Sequence, residues 1–521
     1  MSQLPDYVSS AQPNPVDKRA GWLMTTAASY AGVMLWFVFW QQVPVGASGI
    51  AGGTLSQGLY IAIGGLVLAA FLCYFLFYLV PGLLGMKTGL PLAVVGTSTY
   101  GVTGGFLMPG LLMGLLQFGW LSVNAYFSSL LIVQTFEYPE GSLVHLIVSI
   151  VWTVIAMFLG IKGIQYVGKV ASFMPIIPIV ILLILLSKTY GTIGEFNVDK
   201  MLKAETHSQS TAAKKLTEEI LPKLEKFPPT ILLEGERLAE YKKLESEYIR
   251  NRQIKNSVPA SLWGIGTFGV VSLICTYVIG FFATAGAAGV NFGCGNKGVV
   301  AVHLGGLVGI VISTVFAGVI ALVVVAGAQN LIAAENTDLL VTYDVPKLFG
   351  LIVGDNLAKV FTFLVAVAAF PSACFCTFIA AGCIKTSFPG VNHWVSCGIG
   401  CIAAIVLVVT GYAKDAPAVF SVIGASFGPI CGAMVADYLL SGCKWAGPRE
   451  GFNPAGWISW IIGFAVGGVG LLYPQIGELR LAEIIPCPPL SAFIVGFILY
   501  IILAKFGLQS KVIDMPQRID K

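Results

Sequence analysis

Gly85-Met86-Lys87-Thr88-Gly89, then Thr97-Ser98-Thr99-Tyr100-Gly101, then Gly119-Trp120-Leu121-Ser122-Val123-Asn124: within forty residues the chain passes from a basic turn, through a short polar segment, into an apolar helix that also carries Gln117. Trp120 and Asn124 are four residues apart and so share one face of a helix. There an indole can stack on a flat ring while an amide reads the edge of that ring. The pairing suits a planar, polar, uncharged ligand held inside a membrane. Interfacial anchoring is the alternative for Trp120, but its central place in a long apolar run speaks against that.

The composition around this stretch is that of a polytopic membrane protein. Of 521 residues, 56% are hydrophobic and 11% charged, and the mean hydropathy is +0.84. Those values lie far outside the soluble globular range. The net charge of +4 comes from basic residues spread over loop ends and one hydrophilic insert, which excludes a nucleic-acid-binding face. The polar, proline-containing start, Met1 to Asp17, runs into an apolar segment too long for a signal peptide and without its cleavage site, so a retained first span is expected. Most of the eleven cysteines fall in apolar runs, none in a Cys-x-x-Cys pair, and read as packing residues; Cys374-Phe375-Cys376 is the nearest to an exception.

Apolar segments long enough for a hydrocarbon core of about 30 Å run approximately over 21–50, 57–80, 104–134, 142–162, 164–190, 259–289, 299–330, 356–384, 389–411, 417–441, 455–473 and 490–507. Backbone groups in lipid must be paired internally, and the segments lack the alternation of barrel strands, so about twelve transmembrane helices are expected. With the N-terminus inside, Lys18, Arg19, Lys87, Lys162, Lys169, Lys297, Lys385, Lys444, Arg449, Lys505 and Lys511 collect on the inner side. The opposite short loops hold mainly acids, Glu137, Glu140, Asp355 and Asp415 among them. Both termini are therefore expected in the cytoplasm and the chain in the plasma membrane. The charged stretch 191–258 falls on the outer side, where long loops are exempt from the charge rule. Ala212 to Lys226 and Glu234 to Gln253 read as two polar helices around Pro228-Pro229, either a solvated excursion or a docking site for a protein partner.

Inside the spans, a polar residue or a helix break has a cost and needs a reason. Gln41-Gln42-Val43-Pro44-Val45-Gly46 reads as an interruption of the first span, because proline removes a helix hydrogen bond and glycine loosens the next turn. The alternative is a helix that ends near Gln42 with Pro44 opening an outer loop. Gly280-Phe281-Phe282-Ala283-Thr284-Ala285-Gly286-Ala287-Ala288-Gly289 in the sixth span admits a second break, or else a close-packing surface of small residues. Paired breaks in corresponding helices of two repeats point to a midplane binding site. Asp437, the one acid placed within a span, is expected to make a gating or folding contact at the inner end of its helix; His145 and His303 read as structural.

These segments resemble the nucleobase-cation symporter 1 family, and within it the purine/cytosine permease branch. The resemblance rests on the Gly85–Leu90 turn with Tyr100–Gly104, on Gly119–Asn124, on Gly280–Gly286, and on Gly428-Pro429-Ile430-Cys431-Gly432-Ala433-Met434-Val435-Ala436-Asp437-Tyr438. It covers most of the chain outside the insert. It implies an all-α, leucine-transporter-like five-plus-five inverted repeat with two further C-terminal helices. The divisions are a 1–20 tail, a first repeat 21–190, the insert 191–258, a second repeat 259–441, two helices 442–508 and a 509–521 tail. The function implied is import of a nucleobase or related heterocycle, cytosine-like, by symport with sodium or a proton, without a cofactor. Trp120 would stack on one ring face and Phe282 cover the other, Asn124 and Thr284 would bond its edge, and Gln42 and Gly286 would complete the substrate set. Gln41, Ser372 and Thr377 are the ion candidates, and Gly428, Pro429, Asp437 and Pro44 the gating or structural ones.

The chain departs from the family's eighth helix. Ala369-Phe370-Pro371-Ser372-Ala373-Cys374-Phe375-Cys376-Thr377 stands where a hydroxyl and amide cluster is expected, and sulfur is a poor partner for sodium, which puts sodium coupling in doubt. Asn291 replaces an aspartate frequent in relatives. A sensor or interaction protein that binds ligand without coupled flux is therefore the competing expectation. A membrane enzyme is not, since no intramembrane metal motif or Ser/Lys dyad is visible.

Overall fold

The computed structural model describes residues 4–45, 53–162, 173–228, 235–256, 266–334, 345–388, 390–472 and 484–515. Among them no strand occurs, and the helices, in chain order, are α1 (Asp6–Ser9), α2 (Ala28–Met34), α3 (Phe37–Val45), α4 (Leu59–Thr88), α5 (Thr97–Thr135), α6 (Leu143–Ile161), α7 (Ile176–Glu195), α8 (Val198–Lys215) and α9 (Gly235–Asn256). There follow α10 (Gly266–Ala287), α11 (Gly289–Gly293), α12 (Val299–Gln329), α13 (Val345–Val353), α14 (Asp355–Ala368), α15 (Phe370–Ser387), α16 (His393–Val409), α17 (Ala416–Leu440), α18 (Pro454–Gly467), α19 (Val469–Leu472) and α20 (Pro488–Lys505). Nine helices among the described residues are long and apolar enough to cross a membrane, counting α14 and α15 as one. The broken α2–α3 pair and the shorter apolar helices α16 and α18 occupy the three other expected span positions.

Lipid exposure is legible on α6, where Leu143, Ile147, Val151, Ile155 and Phe158 recur at helical spacing and are all exposed. An apolar stripe of that length is at home against acyl chains rather than water. Helix starts are set by local chemistry: the Ser142, Asn392 and Asp415 side chains accept the backbone N–H groups of His145, Trp394 and Ala418. His145 is structural, as expected, taking the Gly141 N–H at Nδ1 (3.2 Å) and donating from Nε2 to the Tyr126 carbonyl (3.1 Å).

Helices touch where small residues let them. A Cβ on Gly85 would lie 1.9 Å from the Val290 oxygen, so α4 and α11 meet backbone to backbone. The Gly428 to Asp437 signature is a seam of the same type. Gly428 and Gly432 face the backbone of α20 at Pro489 and Phe493, while Pro429 fits against Gly463 of α18 and Gly496 of α20.

Insert helix α8 begins earlier than expected, capped by Asn197, whose side chain accepts the Lys200 N–H. Met201 is buried in the main core, so the insert is docked on the bundle rather than wholly solvated. The Pro229 end of the expected inter-helix turn lies outside the described residues.

Both termini gather on one face. The Tyr7 hydroxyl donates to the Val102 carbonyl. Asn14 joins the end of α4 to the α11–α12 turn, its N–H on the Gly89 carbonyl and its Nδ2 on the Cys294 carbonyl, both at 2.9 Å. Buried Arg19 reaches the Met86 carbonyl at 2.6 Å. Burial pushes the Cys294 thiol up to about 12, which keeps it protonated and donating to the Leu90 carbonyl at 2.9 Å.

On this face Asp437 organises a buried knot. Its carboxylate meets Arg449 Nη2 (3.2 Å) and accepts from the Tyr500 (2.8 Å) and Ser98 (2.7 Å) hydroxyls. Arg449 also donates to the Ser98 and Ser510 carbonyls, and the Val102 N–H returns to the Arg449 carbonyl. Gly101, at φ 81°, supplies the left-handed turn that lets the start of α5 lie across the knot. Asp437 is thus a structural contact at its helix end. Removing one member of a buried ion pair leaves the other charge uncompensated, at a cost of about 3–5 kcal/mol. Asp437→Ala is therefore expected to lower the thermal unfolding midpoint of the detergent-solubilised protein clearly, and Asp437→Leu with Arg449→Met to recover much of the loss. A single variant as stable as the parent would show the knot to be dispensable.

Candidate functional site

Within the described residues the first span breaks ahead of Pro44. α2 ends at Met34, Leu35 takes φ −87° and ψ 0°, and α3 starts at Phe37; Pro44 sits inside the last described turn of α3, and Gly46 lies outside the described residues. No proline or glycine marks the Leu35–Trp36 step. Packing sets it, because Trp36 turns its ring edge-on to Trp120 (5.9 Å between centroids) and beside Phe281 (6.0 Å).

A second break faces the first. The eighth span is split at Ala369, with Pro371 at the start of α15, where its missing N–H and fixed φ are tolerated. Two contacts hold this break in place. The Ser372 hydroxyl donates to the Gly32 carbonyl of α2 at 3.2 Å, and Asn124 Nδ2 donates to the Ala369 carbonyl at 3.0 Å. The other end of the Asn124 amide accepts from Trp152 Nε1 of α6, also at 3.0 Å.

Between the two breaks lies a cavity of about 50 Å³, lined by Tyr30, Val33, Trp36, Gln117, Trp120, Asn124, Phe281, Thr284, Ala285, Phe292, Ser372, Phe375, Cys376 and Ile379. No acidic side chain, lysine, arginine or histidine is among them. Trp120 is pinned by its Nε1, which donates to the Thr284 hydroxyl at 2.9 Å. Phe420 of α17 stacks on the indole (4.8 Å, 29°) and Phe281 meets it edge-on (4.9 Å, 87°). Ligand pockets usually enclose some 300–1,000 Å³, so in this arrangement the space between the breaks is smaller than a ligand site.

The expected site residues divide. Trp120, Asn124, Thr284 and Ser372 line the cavity together. Phe282 does not: it is fully buried behind the wall against Tyr30 (5.6 Å), and Phe281, one position earlier and about 100° round the helix, faces the cavity instead. Gly286 does not line it either, being a contact point where a Cβ would lie 2.7 Å from Phe77 Cβ. The Gly280 to Ala287 run is unbroken helix and turns only at Ala288, so its small residues are a packing surface. Gln42 is beyond the break and off the cavity wall, and Gln41 lines a separate cavity of about 20 Å³ with Trp40 and Pro44. Thr377 bonds back to the Ala373 carbonyl at 3.0 Å and packs on Gly160 of α6, away from Ser372's partner. Asn291 accepts the Leu92 N–H at 3.0 Å, a tertiary contact that ties α11 to the segment between α4 and α5.

Trp36, Phe420, Phe375 and Tyr30 belong to the wall or its closure without having stood out as site residues in the sequence. Aromatic side chains in apolar spans carry no local mark of which way they face, and no breaker announces the Leu35–Trp36 step. Gln117 does stand out, as an amide in an apolar helix.

No protein-family model and no curated protein matches the chain. Among solved structures it is similar to Mhp1, a nucleobase-cation-symport-1 family transporter, in a closed conformation with bromovinylhydantoin bound, at TM-score 0.56 and 13% identity over 96% of this chain and 95% of that one. The inward-facing conformation of Mhp1 gives TM-score 0.58 and 14% identity over the same shares, 96% and 95%. A substrate-bound, outward-open Na+-coupled sialic acid symporter gives 0.47 at 13% identity, over 98% and 93%. At such identities what is shared is the fold: this chain has the fold seen in Mhp1.

Proposed function

We propose that the protein is a secondary transporter that carries an uncharged planar heterocycle, a nucleobase or a close relative such as cytosine, across the membrane together with a cation. The observation that carries this reading is the cavity itself. It sits where two broken helices face one another, as ligand sites do in transporters built from inverted repeats. Its wall offers aromatic rings, hydroxyls and amides but no fixed charge. That chemistry favours a neutral, flat ligand with a polar edge.

Trp120 supplies the stacking surface. The Thr284 bond fixes its plane before ligand arrives, so little ordering remains to be done on binding. Stacking of a base on an aromatic side chain contributes about 1–3 kcal/mol. The Gly32 carbonyl and the Ser372 hydroxyl are hard oxygens that meet across the two breaks, and they are where this reading places the coupling cation. A cation there would bridge α2 and α15 beside the ligand in place of that hydrogen bond and so link the two binding events.

Uptake by proteoliposomes tests the reading. With an inward sodium or proton gradient, labelled cytosine, uracil, hypoxanthine or hydantoin is expected to accumulate, and an ionophore to abolish the accumulation. Trp120→Ala should reduce uptake at least ten-fold, which is about 1.4 kcal/mol. Binding of these compounds with no flux under either gradient would favour the sensor reading, and uptake untouched by Trp120→Ala would remove the site.

A further inference from the structure

We propose that the polar edge of the ligand is read by the Gln117 amide and the Trp36 indole N–H, and that Asn124 is a positioning residue which holds the eighth-span break. This deepens the functional reading above and rests on it.

Three observations carry the assignment. First, Trp36 Nε1–H is buried and has no hydrogen-bond partner among the described residues, and Trp36 lines the cavity. A buried indole N–H nearly always finds an acceptor, so an orphan on a cavity wall points to one that arrives with the ligand. None of the other buried orphan groups belongs to a residue of this wall.

Second, Gln117 is one turn before Trp120 on α5, lines the same cavity and is 4% exposed. Its Nε2 has only the Met113 sulfur, at 3.5 Å, and its oxygen accepts nothing from a described residue. A thioether is a weak acceptor, so this amide keeps most of its bonding capacity. Third, Asn124 is engaged at both ends, by the Ala369 carbonyl and the Trp152 indole. Turning it toward a ligand would leave two groups without partners inside the membrane, so its work is to tie α5 and α6 to the break at Ala369.

The resulting wall presents the unpartnered Trp36 N–H as a donor and the Gln117 amide beside it, whose oxygen accepts and whose N–H groups are met only by a thioether. A ring whose edge carries a carbonyl and an N–H answers both. The ligand class is therefore a cyclic amide or ureide, or a heterocycle presenting the same acceptor and donor.

Binding of uracil and 1,3-dimethyluracil to the purified full-length protein, followed by thermal shift and calorimetry, tests this, since methylation replaces both ring N–H donors and keeps both carbonyls, and the Gln117 variants separate the lost hydrogen bond from the added methyl bulk. Wild type is expected to prefer uracil by about ten-fold or more. Gln117→Met, which keeps the volume, should bring that ratio near one, and Gln117→Leu serves if the first variant does not fold. Trp36→Phe should weaken both probes about ten-fold and leave the ratio standing. Asn124→Ala should lower the melting temperature and likewise leave the ratio standing. A ratio that survives in the Gln117 variants, or collapses in Asn124→Ala, overturns the assignment while the functional reading stands. A wild type that binds neither probe and accumulates no heterocycle in the uptake assay overturns both.

Discussion

Everything in the ligand region depends on how backbone groups released by two helix breaks are paired inside a bilayer. An unpaired amide or carbonyl costs several kcal/mol in lipid, so a break persists only where other groups meet its loose ends. Here Ser372 answers the Gly32 carbonyl at the end of α2, and Asn124 adds a bond to the Ala369 carbonyl at the start of α15. Because each partner comes from a different helix, α2, α5, α6 and α15 are held in one arrangement around one small space. The cavity is a consequence of that pairing, and its neutral wall follows from the same constraint, since a charge there would need a partner that none of these helices supplies.

The face bearing the termini is held differently. Where the cavity relies on neutral hydrogen bonds and ring packing, this face uses a buried ion pair with its hydroxyl and carbonyl partners, crossed by the N-terminal residues at Tyr7, Asn14 and Arg19. On the other side of Trp120, Phe420 closes over the indole by stacking alone. Stacked rings separate at little cost, whereas the Asp437–Arg449 knot must exchange many partners together. The two regions are therefore held by contacts of very different stiffness.

Much of the fold was legible in the sequence because bilayer thickness and helix pairing dictate it: the described spans and the Gly428 to Asp437 seam stand close to where hydropathy and motif place them, while the first insert helix starts fourteen residues ahead of its expected Ala212, at Val198. The details of the site were less so. Pro44 drew attention as a breaker, yet the chain is helical through it as far as Val45, and the break at Leu35–Trp36, packed against rings of α5 and α10, carries no breaker residue. Phe281 and Phe282 are indistinguishable in sequence, and one step of helical rotation decides which meets the cavity. Asn124 lies where the pattern put it, but only the positions of Trp152 and Ala369 reveal that its amide is already engaged.

The central claim is that a neutral heterocycle binds between the two helix breaks. A cryo-electron microscopy structure of the full-length protein, determined with saturating uracil or cytosine, tests it most directly. The expected result is a flat density parallel to the Trp120 indole, its edge between Trp36 and Gln117, in a cavity widened by displacement of Phe420. A ligand bound elsewhere, with the space between the breaks unchanged, would contradict it.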